Sequence, residues 1–186
     1  MRIARDNQFM SVFQIETERL IIRELQVSDL DFVAEMLGDP EVMRFWPQPY
    51  SREGAAEWIA WHRRRYETDG YGYWLALRKQ DGQPVGQVGL LAQEIDGHQS
   101  VGLGYIVHRP FWRKGYAEEG AKACARYGIE TLGLDKIAIL VRPENEPSIQ
   151  LAKKLGAELQ SQTNYHGFIH NIFQLSSSSL LDLADA

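Results

Sequence analysis

A single cysteine, Cys124, stands among 186 residues. An internal disulfide and a thiolate cage for a metal are both excluded, and a reducing, cytoplasmic setting is the expected one. No stretch approaches the roughly 18 to 20 apolar residues that a membrane-spanning helix requires, so no membrane partner is expected. Met1 to Gln14 offers neither an uninterrupted apolar run nor a small-residue cleavage site, which argues against a secretion signal. Positive charge is also scarce: 20 Lys and Arg stand against 25 Asp and Glu, a net charge of -5. Nucleic acid is held by clustered, unopposed cations, so it is not an expected partner. Arg63-Arg64-Arg65 is a basic run, but consecutive helical residues fan across solvent, and Glu57, Glu67 and Asp69 lie close by. The histidines His62, His98, His108, His166 and His170 show no spacing that aims two of them at one ion, and no metal is expected.

What is present is the balance of a packed domain, with 44% hydrophobic and 24% charged residues. A chain of this length buries roughly 70% of the surface its unfolded form exposes, without any covalent staple. Thr17 to Leu25 alternates as a first strand, and Ser28 is placed to cap a helix running to about Leu37. Ser51 opens a second helix whose Ala55, Trp58, Ile59, His62 and Tyr66 recur along one face. Three antiparallel strands follow, Tyr73 to Lys79, Val85 to Ile95 and Ser100 to Val107, reversed at Asp81-Gly82 and Asp96-Gly97. Ala117 to Leu132 reads as a helix with a narrow stripe of small residues that includes Cys124. Ile137 to Val141 is a continuously apolar, central strand, and Ser148 to Leu155 a brief helix stopped at Gly156. Glu158 to Thr163 and Phe168 to Leu175 are the last strands. The pattern describes one α/β domain over residues 17–175, with an N-terminal extension at 1–16 and a flexible C-terminal tail at 176–186.

The chemistry-bearing unit is the stretch from His108 to Ala117, set between a strand and a long helix. A helix N-terminus carries unpaired N–H groups and a partial positive charge, which together suit a phosphate. Gly115 and Ala117 let an anion approach the main chain, and Arg113 and Lys114 add charge. Other phosphate-binding patterns are missing: there is no Gly-x-x-x-x-Gly-Lys-Ser/Thr, and no Gly-x-Gly-x-x-Gly opens a helix after the first strand.

At these residues the chain resembles the GNAT superfamily of N-acetyltransferases, whose motif is Arg/Gln-x-x-Gly-x-Gly/Ala. Phe111-Trp112-Arg113-Lys114-Gly115-Tyr116-Ala117, with Glu119 behind it, is similar to the form used by the ribosomal-protein-alanine N-acetyltransferase-like branch. Thr17-Glu18-Arg19-Leu20, Gly104-Tyr105, Gly133 to Ile137, and Asn145-Glu146-Pro147-Ser148 to Gly156 match that branch in the same order. The resemblance implies an α/β GNAT fold: a mixed, mostly antiparallel sheet of about seven strands, helices on both faces, and a splay between strands four and five. It implies acetyl-CoA as co-substrate, its pyrophosphate on Arg113, Lys114, Gly115, Tyr116 and Ala117. Its pantetheine arm would run in the splay along Ile106, Val107 and His108, with Asn145 and Ser148 beside it. The expected activity is acetyl transfer to a primary amine of a peptide N-terminus or small molecule, by direct attack in a ternary complex of a monomer or homodimer.

Two departures from the family pattern bear on the proton transfers. The helix position where many relatives carry a tyrosine is Ala152, which leaves Ser148 as the remaining hydroxyl on that helix, a candidate thiol-side proton donor or positioning group. The carboxylate that the resemblance leads one to expect on strand four is replaced by Gly102, and Glu94 on the preceding strand, acting through water, is the candidate substitute base. These departures leave a second reading open, a catalytically degenerate module that senses acyl-CoA. Phe45, Trp46, Tyr50, Tyr73 and Trp74 form an aromatic set, of which Trp46, Tyr73 and Trp74 are candidates to line the acceptor pocket.

Overall fold

The computed structural model describes residues 13–182. Residues 1–12 of the expected extension and 183–186 of the expected tail lie outside the described residues. In chain order the elements are β1 (Gln14–Glu16), β2 (Leu20–Arg23), α1 (Leu30–Gly38), α2 (Arg52–Thr68), β3 (Tyr73–Arg78), β4 (Pro84–Ile95) and β5 (His98–Val107). Then come α3 (Tyr116–Glu130), β6 (Lys136–Val141), α4 (Glu146–Lys154), β7 (Glu158–Tyr165), β8 (Phe168–Ser176) and α5 (Ser177–Asp182). One eight-stranded sheet in the order β1-β2-β3-β4-β5-β6-β8-β7 contains all the described strands. Its neighbours are antiparallel except β5 and β6.

The strand beyond the seven that the pattern marks is β1, inside the stretch read as an extension, where Ile15 pairs with Ile22. Ser28 does not cap α1. A 3-10 turn at Val27–Asp29 intervenes, capped reciprocally by Gln26 and Asp29. The stretch read as a tail begins with the last residue of β8 and continues as α5.

Alternation along the strands divides the core into two layers. Leu20, Ile22, Trp74, Val88 and Leu90 face α3, where Ala121, Cys124 and Ala125 are fully buried. Burial pushes the Cys124 thiol well above its ordinary pKa, so it packs as a small apolar group. Leu25, Tyr73, Leu75 and Ile106 face the other way, onto Val33, Met36 and Leu37 of α1 and Ala55 and Ile59 of α2. Each fully buried aliphatic side chain contributes about 1.5–3 kcal/mol.

The feature that positions the site is the junction of β5 and β6. Gly102 with Ala138 is the one registered pair between them, and beyond it the strands part. Leu103 to Val107 stay paired with β4, and Ile139 to Val141 with β8, so a wedge opens in mid-sheet.

Candidate active site

The loop that leads into α3 is built locally. From β5 the chain passes through a 3-10 turn at Arg109–Phe111 and reaches the N-cap of α3 at Gly115, whose φ of 81° is left-handed. Arg113 also has positive φ, 59°, the cost of turning the chain sharply before the helix. The first helical bond runs from the Glu119 N–H to the Gly115 carbonyl, at 3.1 Å. The N–H groups of Tyr116, Ala117 and Glu118 precede it and point out of the helix end. Arg113 and Lys114 are exposed, the Lys114 ammonium resting 2.9 Å from the Pro110 carbonyl.

The turn between β1 and β2 straps this loop in place. Glu119 accepts from the Thr17 hydroxyl at 2.5 Å, the Arg19 N–H at 2.7 Å and the Arg19 guanidinium at 2.6 Å. The same guanidinium donates to the Lys114 carbonyl at 2.9 Å and lies over the Tyr116 ring. Burial raises the Glu119 pKa, but these donors outweigh it and hold the carboxyl below its ordinary value.

Along the wedge, the His108 N–H donates to the Val85 carbonyl, so the register turns the main chain of Ile106 and His108 toward β4. The same alternation turns the groups of Tyr105 and Val107 toward the gap. The Val107 carbonyl there accepts from the Trp112 indole at 2.6 Å. Across the gap, Asn145 caps α4 by accepting from the Ser148 N–H at 3.3 Å. The Tyr105 hydroxyl spans the wedge to the Ser148 hydroxyl, 2.8 Å away. Burial pushes the Tyr105 hydroxyl up to about 12, which keeps it protonated at neutral pH.

The wedge continues into a cavity of about 440 Å³. Tyr105, Asn145 and Ser148 line its inner end, and Trp46, Tyr50, Trp58 and Trp61 its other wall. The rings of Trp46, Tyr50 and Tyr73 sit 5.5 to 5.7 Å from that of Trp58. The hairpin of β7 and β8 closes the remaining side with Tyr165, His166, Phe168 and His170. Two glycines of β5 make room here. A Cβ on Gly104 would fall 1.7 Å from the Tyr73 hydroxyl, and one on Gly102 would fall 2.3 Å from the Gln93 amide.

The family model described as acetyltransferase (GNAT) domain matches residues 19–158. The chain belongs to the GNAT acetyltransferase family. It is an acyltransferase, and enzymes of this family use acetyl-CoA. An uncharacterized N-acetyltransferase, YnaD, of Bacillus subtilis (strain 168) is 30% identical over 76% of this chain and 81% of its own. The spermidine N(1)-acetyltransferase of Escherichia coli (strain K12) is 27% identical over 82% of this chain and 80% of its own. An acetyltransferase structure from Agrobacterium tumefaciens str. C58 superposes with a TM-score of 0.78 at 21% identity, covering 94% of this chain and 100% of that one. The ribosomal-protein-S5-alanine acetyltransferase of Vibrio fischeri shares the fold, with a TM-score of 0.70 at 16% identity over 88% of this chain and 96% of that one.

Within this GNAT domain the sequence-derived candidates separate. Ser148, Asn145, Trp46 and Tyr73 line the cavity. Trp74 does not: one residue along β3 it points to the opposite face, packed between Phe13 and Tyr127. Glu94 is exposed on β4 and pairs with Gln99, while its neighbour Gln93 lines the cavity. Of the backbone positions, Val107 borders the gap, and the His108 N–H already has a partner.

Tyr105, Gln93, Trp58, His166 and His170 also line the cavity, and no local sequence pattern marks them as doing so. Gly104-Tyr105 is legible as a strand marker, yet the reach of Tyr105 to α4 depends on the splay. The Asp-Gly reversal fixes β4 against β5, which with strand alternation would have aimed Gln93 rather than Glu94. Nothing local announces the two histidines, because the β7–β8 hairpin arrives from the far edge of the sheet.

Proposed function

We propose that the protein moves an acetyl group from acetyl-CoA to the nitrogen of a primary amine, by direct attack in a ternary complex. The observation that carries this reading is the Tyr105–Ser148 hydroxyl pair standing in the wedge, on the wall of a cavity large enough for a small acceptor. The residues present fit the donor. Gly115 leaves its helix end open to an anion, three N–H groups face outward there, and Arg113 forms no ion pair among the described residues.

Bound acetyl-CoA supplies an activated acetyl thioester. Arg113, Lys114 and the first turn of α3 would hold the pyrophosphate, and the main-chain groups of Tyr105 and the Val107 N–H, which face the gap without a strand partner, would hold the pantetheine arm in the manner of an added strand. An amine in the cavity loses its extra proton to a neutral base and so to solvent; its nitrogen then forms the C–N bond to the acetyl carbon as the C–S bond breaks, and the second proton this nitrogen sheds in becoming an amide replaces, through water, the one Tyr105 gives up. His170 lines the cavity and suits the base: burial, with Arg142 and His166 nearby, holds its pKa below the ordinary 6.5, which favours the neutral, proton-accepting ring at pH 7. Tyr105, held by Ser148, delivers a proton to the leaving sulfur. The tyrosine absent from α4, where Ala152 is fully buried, is thereby replaced from β5.

The test is acetyl-CoA-dependent thiol release with a panel of monoamines, polyamines and N-terminal peptides. Release above the blank, with one acetyl gained by the amine, is the expected outcome. Silence across the panel, with a thermal shift by acetyl-CoA retained, overturns transfer in favour of a sensing role.

A further inference from the structure

The acceptor wall is rich in aromatic surface and poor in negative charge, and we infer that the acceptor is a small aromatic monoamine rather than a polyamine. This inference rests on the acetyl-transfer reading above and narrows its substrate. No Asp or Glu lines the cavity among the described residues, and the cation on its wall is Arg142. Arg142 lies over the Phe168 ring, 4.4 Å from its centroid, and the Glu144 carboxylate beside it is 3.5 Å away and largely exposed. A polyamine brings at least one ammonium besides the reacting nitrogen. Burying that charge without a carboxylate, beside a guanidinium, is unfavourable.

The rings point to what does fit. The Trp58 indole N–H is bound to Gln87 at 2.8 Å, so the ring offers its apolar surface to the cavity rather than a donor. Trp46 and Tyr50 meet Trp58 at 76° and 69°, edge to face, which fixes the wall in one arrangement. Trp61 at the mouth keeps 38% of its surface exposed, large apolar area that a flat ligand would cover. A planar group on one or two methylenes stacks against this wall and leaves its single amine free to reach the wedge.

The experiment uses the full chain and compares 2-phenylethylamine, tryptamine, spermidine and an alanine-starting pentapeptide, by kcat/KM for thiol release and by calorimetric binding in the presence of CoA. Both arylalkylamines are expected to exceed spermidine and the peptide by about tenfold or more in each readout. Equal or better performance by spermidine or the peptide overturns the inference. If no amine is turned over while the arylalkylamines still bind preferentially, the acceptor class stands and acetyl transfer fails. Absence of any binding preference overturns the class. Gln93→Glu, nearly isosteric, adds the missing carboxylate and is expected to raise the spermidine-to-phenylethylamine ratio by about tenfold. An unchanged ratio in a variant that still binds acetyl-CoA also contradicts it.

Discussion

The helix end proposed to take the cofactor and the cavity proposed to take the acceptor border the same wedge but are assembled in contrary ways. The helix end comes from one continuous stretch, residues 109–119, tied down by a single strap from the turn before β2. The acceptor wall draws on α2, the loop before it, β3, β4, β5 and the β7–β8 hairpin. Anion binding needs main-chain N–H groups in a row, which neighbouring residues supply. Enclosing a variable small molecule needs side chains from many directions, which only the tertiary fold supplies.

The sharpest way to break this contrast is at Gly115. Replacement by a bulky residue forces a left-handed φ on a side chain and brings its Cβ within 3.1 Å of the Arg19 guanidinium. The acetyl-CoA-induced rise in Tm is expected to vanish, and activity to fall about 100-fold or more, while aromatic-amine binding is kept. Loss of both together, in a folded variant, would show that the two sides are not separable.

Ser148→Ala comes next. It removes the partner that holds Tyr105 and is expected to lower kcat about tenfold with little change in acetyl-CoA affinity, read from steady-state kinetics and calorimetry. An equal rise in the Kd for acetyl-CoA would move Ser148 to the donor side.

A smaller effect belongs to the strap. Because the Glu119 carboxyl titrates below its ordinary 4.5, its contribution is present above that value and is lost as pH falls through the depressed pKa. Glu119→Gln is expected to raise the KM for acetyl-CoA a few-fold, about 0.5–1.5 kcal/mol of lost hydrogen bonding, and to flatten the acid limb of a Tm-against-pH curve below the ordinary carboxylate value of 4.5.

On the acceptor side the probe reads stability rather than turnover. His62 is fully buried, accepts from the Tyr73 N–H at 3.0 Å and stacks on that ring. Burial lowers its pKa to about 3, with Arg65 adding to the shift. The unfolded chain takes up a proton near 6.5 that the folded one refuses, so stability declines as pH falls from there toward 3. The expected slope from this group is about 1 kcal/mol per pH unit, measured by denaturant unfolding, and His62→Gln should reduce it.

The same contrast decides what was legible in the sequence. The strands and helices, the Asp96-Gly97 reversal with both residues at positive φ, and the stop at Gly156 follow from local pattern and backbone chemistry. Loop residues 113–117 could be read for the same reason, since motif and geometry are contiguous there. The acceptor wall resisted because alternation needs a register: Trp74 and Glu94 each lie one residue from the side chains that do face the cavity, Tyr73 and Gln93. Tyr105 was visible only as a landmark, since its partner lies 43 positions away on α4.

The decisive measurement is the single-turnover rate of Tyr105→Phe at saturating acetyl-CoA, taken with the Kd for acetyl-CoA. If Tyr105 hands a proton to the leaving sulfur while the α3 loop does the binding, the rate falls about 100-fold and the Kd stays within about threefold of the parent value. An unchanged rate, or a rate that falls only in step with weakened binding, would contradict it.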